Sequence, residues 1–182
     1  METPNYLSAV DGLRVRISGE WAERKHHYLN NYCGITSVSM RKKFKLVYVD
    51  VMAGPGRCKI EKANKEFPGS PLVALNHDFA EYIFIEESPQ LADALTKRIA
   101  SHHKAKKVTI YSENWIKVLE AGRLKFDNST LAVAFVDPIG ISEVPMSAMK
   151  QLANNPRIRP AGHHSVSPRN RPQSAAILEI QK

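Results

Sequence analysis

The sequence is short of cysteine and has no long run of apolar residues. Cys33 and Cys58 are the two cysteines among 182 residues, which fits a reducing compartment and is too few for a metal site by themselves. The longest apolar run, Leu131 to Val136, has six residues, whereas a membrane-spanning helix needs about 20. The first residues lack the basic flank and apolar stretch of a signal peptide. The sequence therefore predicts a cytoplasmic protein without a membrane segment or a metal site.

Positive charge is in excess, but half of it lies in a short C-terminal segment. Lys and Arg total 26 against 18 Asp and Glu, a formal net charge of +8. Residues 157–182 contribute +4 of that charge and residues 1–156 contribute the other +4. A body this mildly basic supports nucleic-acid binding only weakly. With 43% hydrophobic and 24% charged residues, the composition is that of a folded domain and excludes disordered and fibrous classes.

Strand-like and helix-like segments alternate along the chain. A leading helix is predicted from Glu20 to Cys33, with Gly34 as its left-handed cap. Continuous apolar runs such as Leu131–Val136 are typical of parallel strands that are covered on both faces. The order α-β-α-β-α-β-α-β-α predicts a doubly wound, Rossmann-like α/β domain with a parallel sheet over residues 20–155. Residues 1–19 are predicted to be an N-terminal extension. The predicted strands are 44–51, 82–85, 108–111 and 131–136.

Polar and glycine residues follow the predicted strands, at the sheet edge where ligands bind in this architecture. Asp50 and the turn Ala53-Gly54-Pro55-Gly56 follow the first strand, and Glu86 follows the second. Asn114 and Asp137-Pro138 follow the third and fourth. Each signal alone is also ordinary turn or capping chemistry. Together they predict a ligand site in which glycine lets the backbone approach closely and Glu86, or Glu87 as the alternative, accepts hydrogen bonds from a diol.

Two common nucleotide motifs are excluded. No Gly-Lys-Ser/Thr follows Gly56, which a phosphate-binding loop of the Walker type requires. Met52 occupies the place of the first glycine of the dinucleotide fingerprint, and Glu86 lies further along the chain than that fingerprint expects.

Four linked motifs resemble one family. The resemblance covers about residues 20–155, in the order in which the family has them, and the leading Trp21 with Lys25-His26 and Tyr32 is part of it. The sequence looks like the three-Cys-motif partner protein family, TcmP, which in turn resembles class I methyltransferases that use S-adenosylmethionine. The four motifs are Tyr48-Val49-Asp50 with Ala53 to Gly56, Phe67 to Leu72, Phe84-Ile85-Glu86, and Phe135 to Gly140.

The resemblance implies a cofactor, S-adenosylmethionine, and a role for each residue at the strand ends. The turn containing Ala53, Gly54 and Gly56 would face the methionine end, with Asp50 beneath it. Glu86 would hold the ribose and Asn114 would lie against the adenine amine.

Asp137-Pro138 lies where amino-group methylases place a catalytic motif that ends in an aromatic residue. Ile139 and Gly140 depart from that motif, so the aromatic that would stack on a flipped base is absent at that place. Two functions therefore stay open. One is a methyltransferase with an unidentified acceptor; the other is a non-catalytic partner or regulatory module, with a three-Cys-motif protein as its partner.

Two segments have their own predictions. Residues 57–67 are longer than a tight connection needs, and we expect them to form a mobile flap over the site. Prolines 156, 160, 168 and 172 are incompatible with a central strand, so the sheet is expected to be incomplete and residues 156–182 irregular. We hypothesise that the chain from about Arg157 onward is frameshifted or otherwise aberrant, which the encoding nucleotide sequence tests. The alternative is a basic tail that binds nucleic acid or a partner.

Overall fold

The computed structural model describes residues 6–138, 144–153, 158–159 and 176–179. Within these ranges the chain forms five α-helices and nine strands, and a single 3-10 turn precedes the sixth strand. The helices are α1 (Trp21–Met40), α2 (Ser70–Leu75), α3 (Pro89–Ala100), α4 (Trp115–Glu120) and α5 (Met146–Ala153). The strands are β1 (Arg16–Ile17), β2 (Lys45–Asp50), β3 (Arg57–Ile60), β4 (Lys65–Pro68), β5 (Glu81–Ile85), β6 (Val108–Tyr111), β7 (Thr130–Val136), β8 (Ile158–Arg159) and β9 (Ala176–Glu179).

A parallel sheet organises the domain, with β2 at its centre. The strand order is β6-β5-β2-β7, and every neighbouring pair among these four is parallel. β8 pairs in parallel with β7, and β9 pairs with β7 in the antiparallel direction. The carboxyl ends of β2, β5 and β7 therefore lie side by side, which brings the predicted site residues to one edge. The predicted doubly wound α/β fold is confirmed.

Helices cover the sheet on both faces because successive side chains of a strand point to opposite faces. Tyr48 of β2 packs into an aromatic-rich core against α1, α2 and α3. Its neighbours Val47 and Val49 pack into an aliphatic core against α4 and α5. This double burial explains why β7 has no polar residue after Thr130: all seven of its residues are buried.

The leading helix is longer than predicted, and Gly34 does not end it. α1 continues to Met40, with Gly34 in its interior. A Cβ at position 34 would lie 3.3 Å from Cε1 of His77, and the His77 ring is also hydrogen-bonded to Asn30 of α1 at 2.9 Å. Gly34 therefore makes room for a neighbouring ring, and the prediction that it is a left-handed cap is wrong.

The segment predicted to be a mobile flap is a β-hairpin. β3 and β4 pair in the antiparallel direction, and β1 from the N-terminal segment adds a third strand beside β3. Cys58, Ile60 and Phe67 point to one side and pack on Ala22 of α1. The alternation of polar and apolar residues in Arg57–Ile60 was the sequence signal for this strand.

Six residues of the tail predicted to be irregular are extended. β8 and β9 lie beside β7 and contain none of the four prolines, which fall outside these strands. The remaining residues of that tail, and Ile139 and Gly140, lie outside the described ranges. Among the described residues, no helix is long and apolar enough to cross a membrane.

Candidate functional site

A cavity of about 140 Å³ lies at the carboxyl ends of β2 and β7. One wall is the predicted glycine turn, Ala53 to Gly56, and another is Asp137-Pro138. Residues 16–19 and the first turns of α1 close the side that faces away from the sheet, and Gly69-Ser70 at the start of α2 contributes as well. The structure thus brings five predicted site residues to one cavity: Ala53, Gly54, Gly56, Asp137 and Pro138.

The two glycines of the turn contact different side chains. Both have positive φ, +66° at Gly54 and +88° at Gly56, a conformation that L side chains rarely adopt. A Cβ at Gly56 would lie 3.0 Å from Cδ1 of Leu95, so this glycine lets α3 pack closely. A Cβ at Gly54 would lie 3.2 Å from Cζ of Arg16. The bare backbone of Gly54 therefore faces a guanidinium group.

Glu86 closes the turn from the end of β5. Its Oε2 accepts a hydrogen bond from the backbone N–H of Gly54 at 2.8 Å, and its Oε1 accepts one from the N–H of Ser88 at 2.9 Å. Nη2 of Arg16 lies 3.4 Å from Oε2. The predicted diol-binding carboxylate is therefore oriented by two backbone donors and paired with a cation that the sequence alone did not indicate.

Arg16 belongs to an N-terminal strap, residues 6–19, that crosses the glycine turn. Arg98 of α3 fixes the strap: its guanidinium makes two bonds of 2.8 Å to the Asp11 carboxylate and also donates to backbone oxygens at 13 and 14. The same group donates to the Pro55 carbonyl at 2.6 Å. Arg98 thus ties the strap to the glycine turn, and its side chain is only 4% exposed.

Asp50 lies beneath the turn and is completely buried. Its Oδ2 lies 3.4 Å from the Tyr48 hydroxyl, while Oδ1 has no hydrogen-bond partner among the described residues. Burial raises the pKa of this carboxyl from 3.8 to about 7, against the lowering effects of the Ser70 hydroxyl and of Arg16. Asp50 is thus a buried carboxyl that keeps its proton to a much higher pH than an exposed aspartate does.

Asp137, at the end of β7, forms an ion pair with Lys25 of α1. The side chains are 15% and 13% exposed, respectively. The Lys25 ammonium also lies over the Trp21 ring, 3.5 Å from its centroid. Burial lowers the pKa of Lys25, and Asp137 opposes that change. The predicted catalytic carboxylate is therefore held by a cation from the helix that covers the cavity.

His26 lines the cavity beside Lys25. Its Nδ1 lies 3.0 Å from the Pro68 carbonyl, so that nitrogen carries the proton donated in this contact. The pKa of His26 is lowered, because the effect of burial exceeds the opposing effect of the Asp137 carboxylate.

Asn114 is placed away from the residues that line the cavity. Its Oδ1 caps α4 by accepting from the N–H of Ile116 at 2.9 Å, and its Nδ2 donates to Glu87 at 3.2 Å. Its side chain thus performs the ordinary work of a helix cap. The adenine contact suggested for Asn114 stays a prediction.

No family model matches the chain, and no curated protein matches it in sequence. A solved structure described as a putative methyltransferase, yhhF from Escherichia coli, has a TM-score of 0.55 at 16% identity and covers 94% of each chain. A conserved hypothetical protein from Streptococcus pyogenes has a TM-score of 0.49 at 12% identity, over 78% of this chain and 89% of that one. TYW2 of P. horikoshii in complex with MeSAdo has a TM-score of 0.45 at 12% identity, over 93% and 67%. The E. coli likeness shows that this chain shares the α/β fold of that putative methyltransferase.

Proposed function

We propose that this chain is an S-adenosylmethionine-binding, methyltransferase-like protein of the three-Cys-motif partner type, with an acceptor yet to be identified. The observation that supports this most is the direct link between the ends of β2 and β5. The Glu86 carboxylate accepts the N–H of Gly54 at 2.8 Å, so a diol-binding group and a close-approach turn form one unit. In doubly wound sheets, nucleoside ligands bind where such strand ends meet.

The residues present fit an adenosine-containing cofactor. Glu86 offers acceptor positions for a ribose diol, because Oε1 has a second lone pair beyond its bond from Ser88 and the second position of Oε2 is held only by Arg16 at 3.4 Å. The buried Oδ1 of Asp50 lacks a partner among the described residues and would accept a hydrogen bond from a water molecule or an amine near the turn. S-adenosylmethionine, when bound, supplies a methyl group activated by its sulfonium.

On the other side of the cavity, the chain supplies charge and a proton acceptor. Lys25 holds the Asp137 carboxylate in place. Because Nδ1 of His26 donates to the Pro68 carbonyl, its Nε2 is the basic nitrogen of the neutral ring. An acceptor group entering here would meet Asp137, Lys25 and the Trp21 ring, which supplies an aromatic surface from α1.

Cofactor binding tests the proposal, and Glu86→Ala is the informative variant. We expect S-adenosylhomocysteine to bind the wild-type chain in calorimetry and Glu86→Ala to bind it about 1–3 kcal/mol more weakly, because a buried pair of hydrogen bonds to the diol is lost. Glu81→Ala is the matched control, since Glu81 is exposed and begins β5, at the opposite end of the strand from Glu86.

Thermal unfolding of both variants separates lost binding from lost folding. Equal affinity for wild type and a folded Glu86→Ala variant would contradict the assigned site.

The alternative is a non-catalytic partner or regulatory module that keeps the pocket. The ion pair between Lys25 and Asp137 favours this alternative, because it occupies the carboxylate that would otherwise bind a substrate amine. Formation of S-adenosylhomocysteine from S-adenosylmethionine in the presence of nucleic-acid or protein substrates would support the methyltransferase. Cofactor binding without turnover would support the non-catalytic module.

A further inference from the structure

The guanidinium group of Arg16 lies where the proposed cofactor's ribose would have to contact both Gly54 and Glu86. Its Cζ is 3.2 Å from the point that a Cβ on Gly54 would occupy. Nη1 donates to the Met52 carbonyl at 3.3 Å, and Nη2 lies 3.4 Å from Oε2 of Glu86. The group thus rests on the bare face of the turn and pairs with the carboxylate at the same time.

We propose that Arg16 is an internal competitor for this site: an adenosine ligand binds only when the Arg16 side chain swings away from Gly54 and Glu86. This inference rests on the proposed function, because it concerns the same cofactor site. It makes one side chain of the N-terminal strap, rather than the residues 57–67 expected from the sequence to form a flap, the group that controls access.

The hydrogen-bonding capacity of Glu86 supports competition. A carboxylate oxygen has two lone pairs, and the N–H groups of Gly54 and Ser88 already use one on each oxygen. The remaining position on Oε2 faces Arg16. A diol donates two hydroxyls and needs one free position on each oxygen, so it gains its second acceptor only when Arg16 leaves.

The contacts divide the strap into a fixed backbone and a displaceable side chain. Arg98 fixes the strap near Asp11 with bonds of 2.8 Å, and Arg16 itself pairs through its backbone with Cys58 in the β1–β3 ladder. By contrast, both contacts of the Arg16 guanidinium are longer than 3.2 Å, and the side chain is 23% exposed. Rotation of the side chain therefore breaks two weak contacts and leaves the backbone pairing intact.

Arg16→Met removes the competing charge and keeps most of the side-chain volume. We expect it to bind S-adenosylhomocysteine about tenfold more tightly than wild type in calorimetry, the gain expected if the open state is populated about one-tenth of the time. Arg14→Met is the matched control: it removes a neighbouring strap cation whose guanidinium makes no contact with Glu86, and it should leave the affinity unchanged.

The outcomes separate the two ideas. Tighter binding by Arg16→Met alone supports the competition. Equal affinity of wild type and Arg16→Met overturns the competition and leaves the proposed function standing, and weaker binding by Arg16→Met overturns it by making Arg16 a ligand contact. Absence of binding in wild type and in every variant overturns the proposed function and this inference with it.

A measurement on the wild-type chain covers the case in which Arg16→Met does not fold. The Nε–H resonance of Arg16 should exchange faster with water when S-adenosylhomocysteine saturates the protein, because the guanidinium moves into solvent. The corresponding resonance of Arg98 should not change. Ligand binding with an unchanged Arg16 resonance would overturn the proposal.

Discussion

The two sides of the candidate site, one at the glycine turn and the end of β5 and the other at the end of β7, are built in different ways. On the β5 side, backbone donors hold Glu86 and the buried Arg98 clamps the strap to the Pro55 carbonyl. On the β7 side, one side chain among the described residues holds Asp137: Lys25 of α1, which also contacts Trp21.

This difference indicates which side is preformed. Backbone donors and a side chain with several bonds cannot rearrange without disturbing the sheet edge, so the β5 side keeps one geometry. A flexible lysine on a covering helix can exchange its partner for a substrate group. The β5 side, where we propose that the cofactor binds, is therefore rigid apart from Arg16, and the β7 side is adaptable. The following predictions test this contrast, beginning with the carboxyl that lies beneath the turn.

Asp50→Asn should change how stability depends on pH. The native pKa of about 7 lies above the usual 3.8, so between about pH 4 and 7 the folded state keeps a proton that the unfolded state has lost. The wild-type free energy of unfolding should therefore fall with rising pH relative to the variant, by about 1.4 kcal/mol per unit and roughly 3–4 kcal/mol in total. Urea unfolding of both proteins from pH 4 to 8 measures this difference. Parallel curves would show that Asp50 does not titrate in this window.

Arg98→Met should weaken the rigid side most directly. It removes the bonds to Asp11, to the strap backbone and to the Pro55 carbonyl, which we expect to cost about 2–3 kcal/mol in the free energy of unfolding. Lys97→Met, one residue earlier and paired on the surface with Asp93, should cost less than about 0.5 kcal/mol. Limited proteolysis should cut the strap faster in the Arg98 variant alone. Equal proteolysis of both variants would contradict the clamp.

Lys25→Met should have a smaller effect on the adaptable side. It leaves the partly buried Asp137 without its cation and removes the contact with the Trp21 ring, for an expected loss of about 1–2 kcal/mol. Unfolding followed by circular dichroism provides the value. Lys45→Met, from an exposed pair with Glu81, is the comparison, and we expect its effect to stay below about 0.5 kcal/mol. If Lys25→Met is as stable as wild type, the ion pair between Lys25 and Asp137 does not stabilise this side of the site.

The fold was predictable because its signals are local and repeated. The apolar run of β7 is continuous, so burial on both faces followed from composition alone. The carboxyl ends of parallel strands necessarily share an edge, which brought the glycine turn, Glu86 and Asp137 together in the prediction.

Long-range contacts were not predictable in the same way. Gly34 resembles a helix cap until the His77 ring is seen beside it. Arg16 and Arg98 reach the site from a strap and from α3, and no local pattern marks either residue. Asn114 illustrates the reverse case: a residue at a strand end was assigned a ligand role, while its contacts are those of a helix cap.

The contact between Arg16 and Gly54 has a consequence for how this sequence can diverge. A methyl group at position 54 would lie 3.2 Å from the guanidinium carbon of Arg16, and the residue that carries it would need a positive φ of 66°. A steric effect and a backbone effect therefore both constrain position 54 to glycine. Loss of the arginine relaxes the steric part of that constraint and leaves the backbone part. Among diverged copies of this gene, we therefore expect position 54 to remain glycine even where position 16 has changed, because the positive φ persists without the arginine.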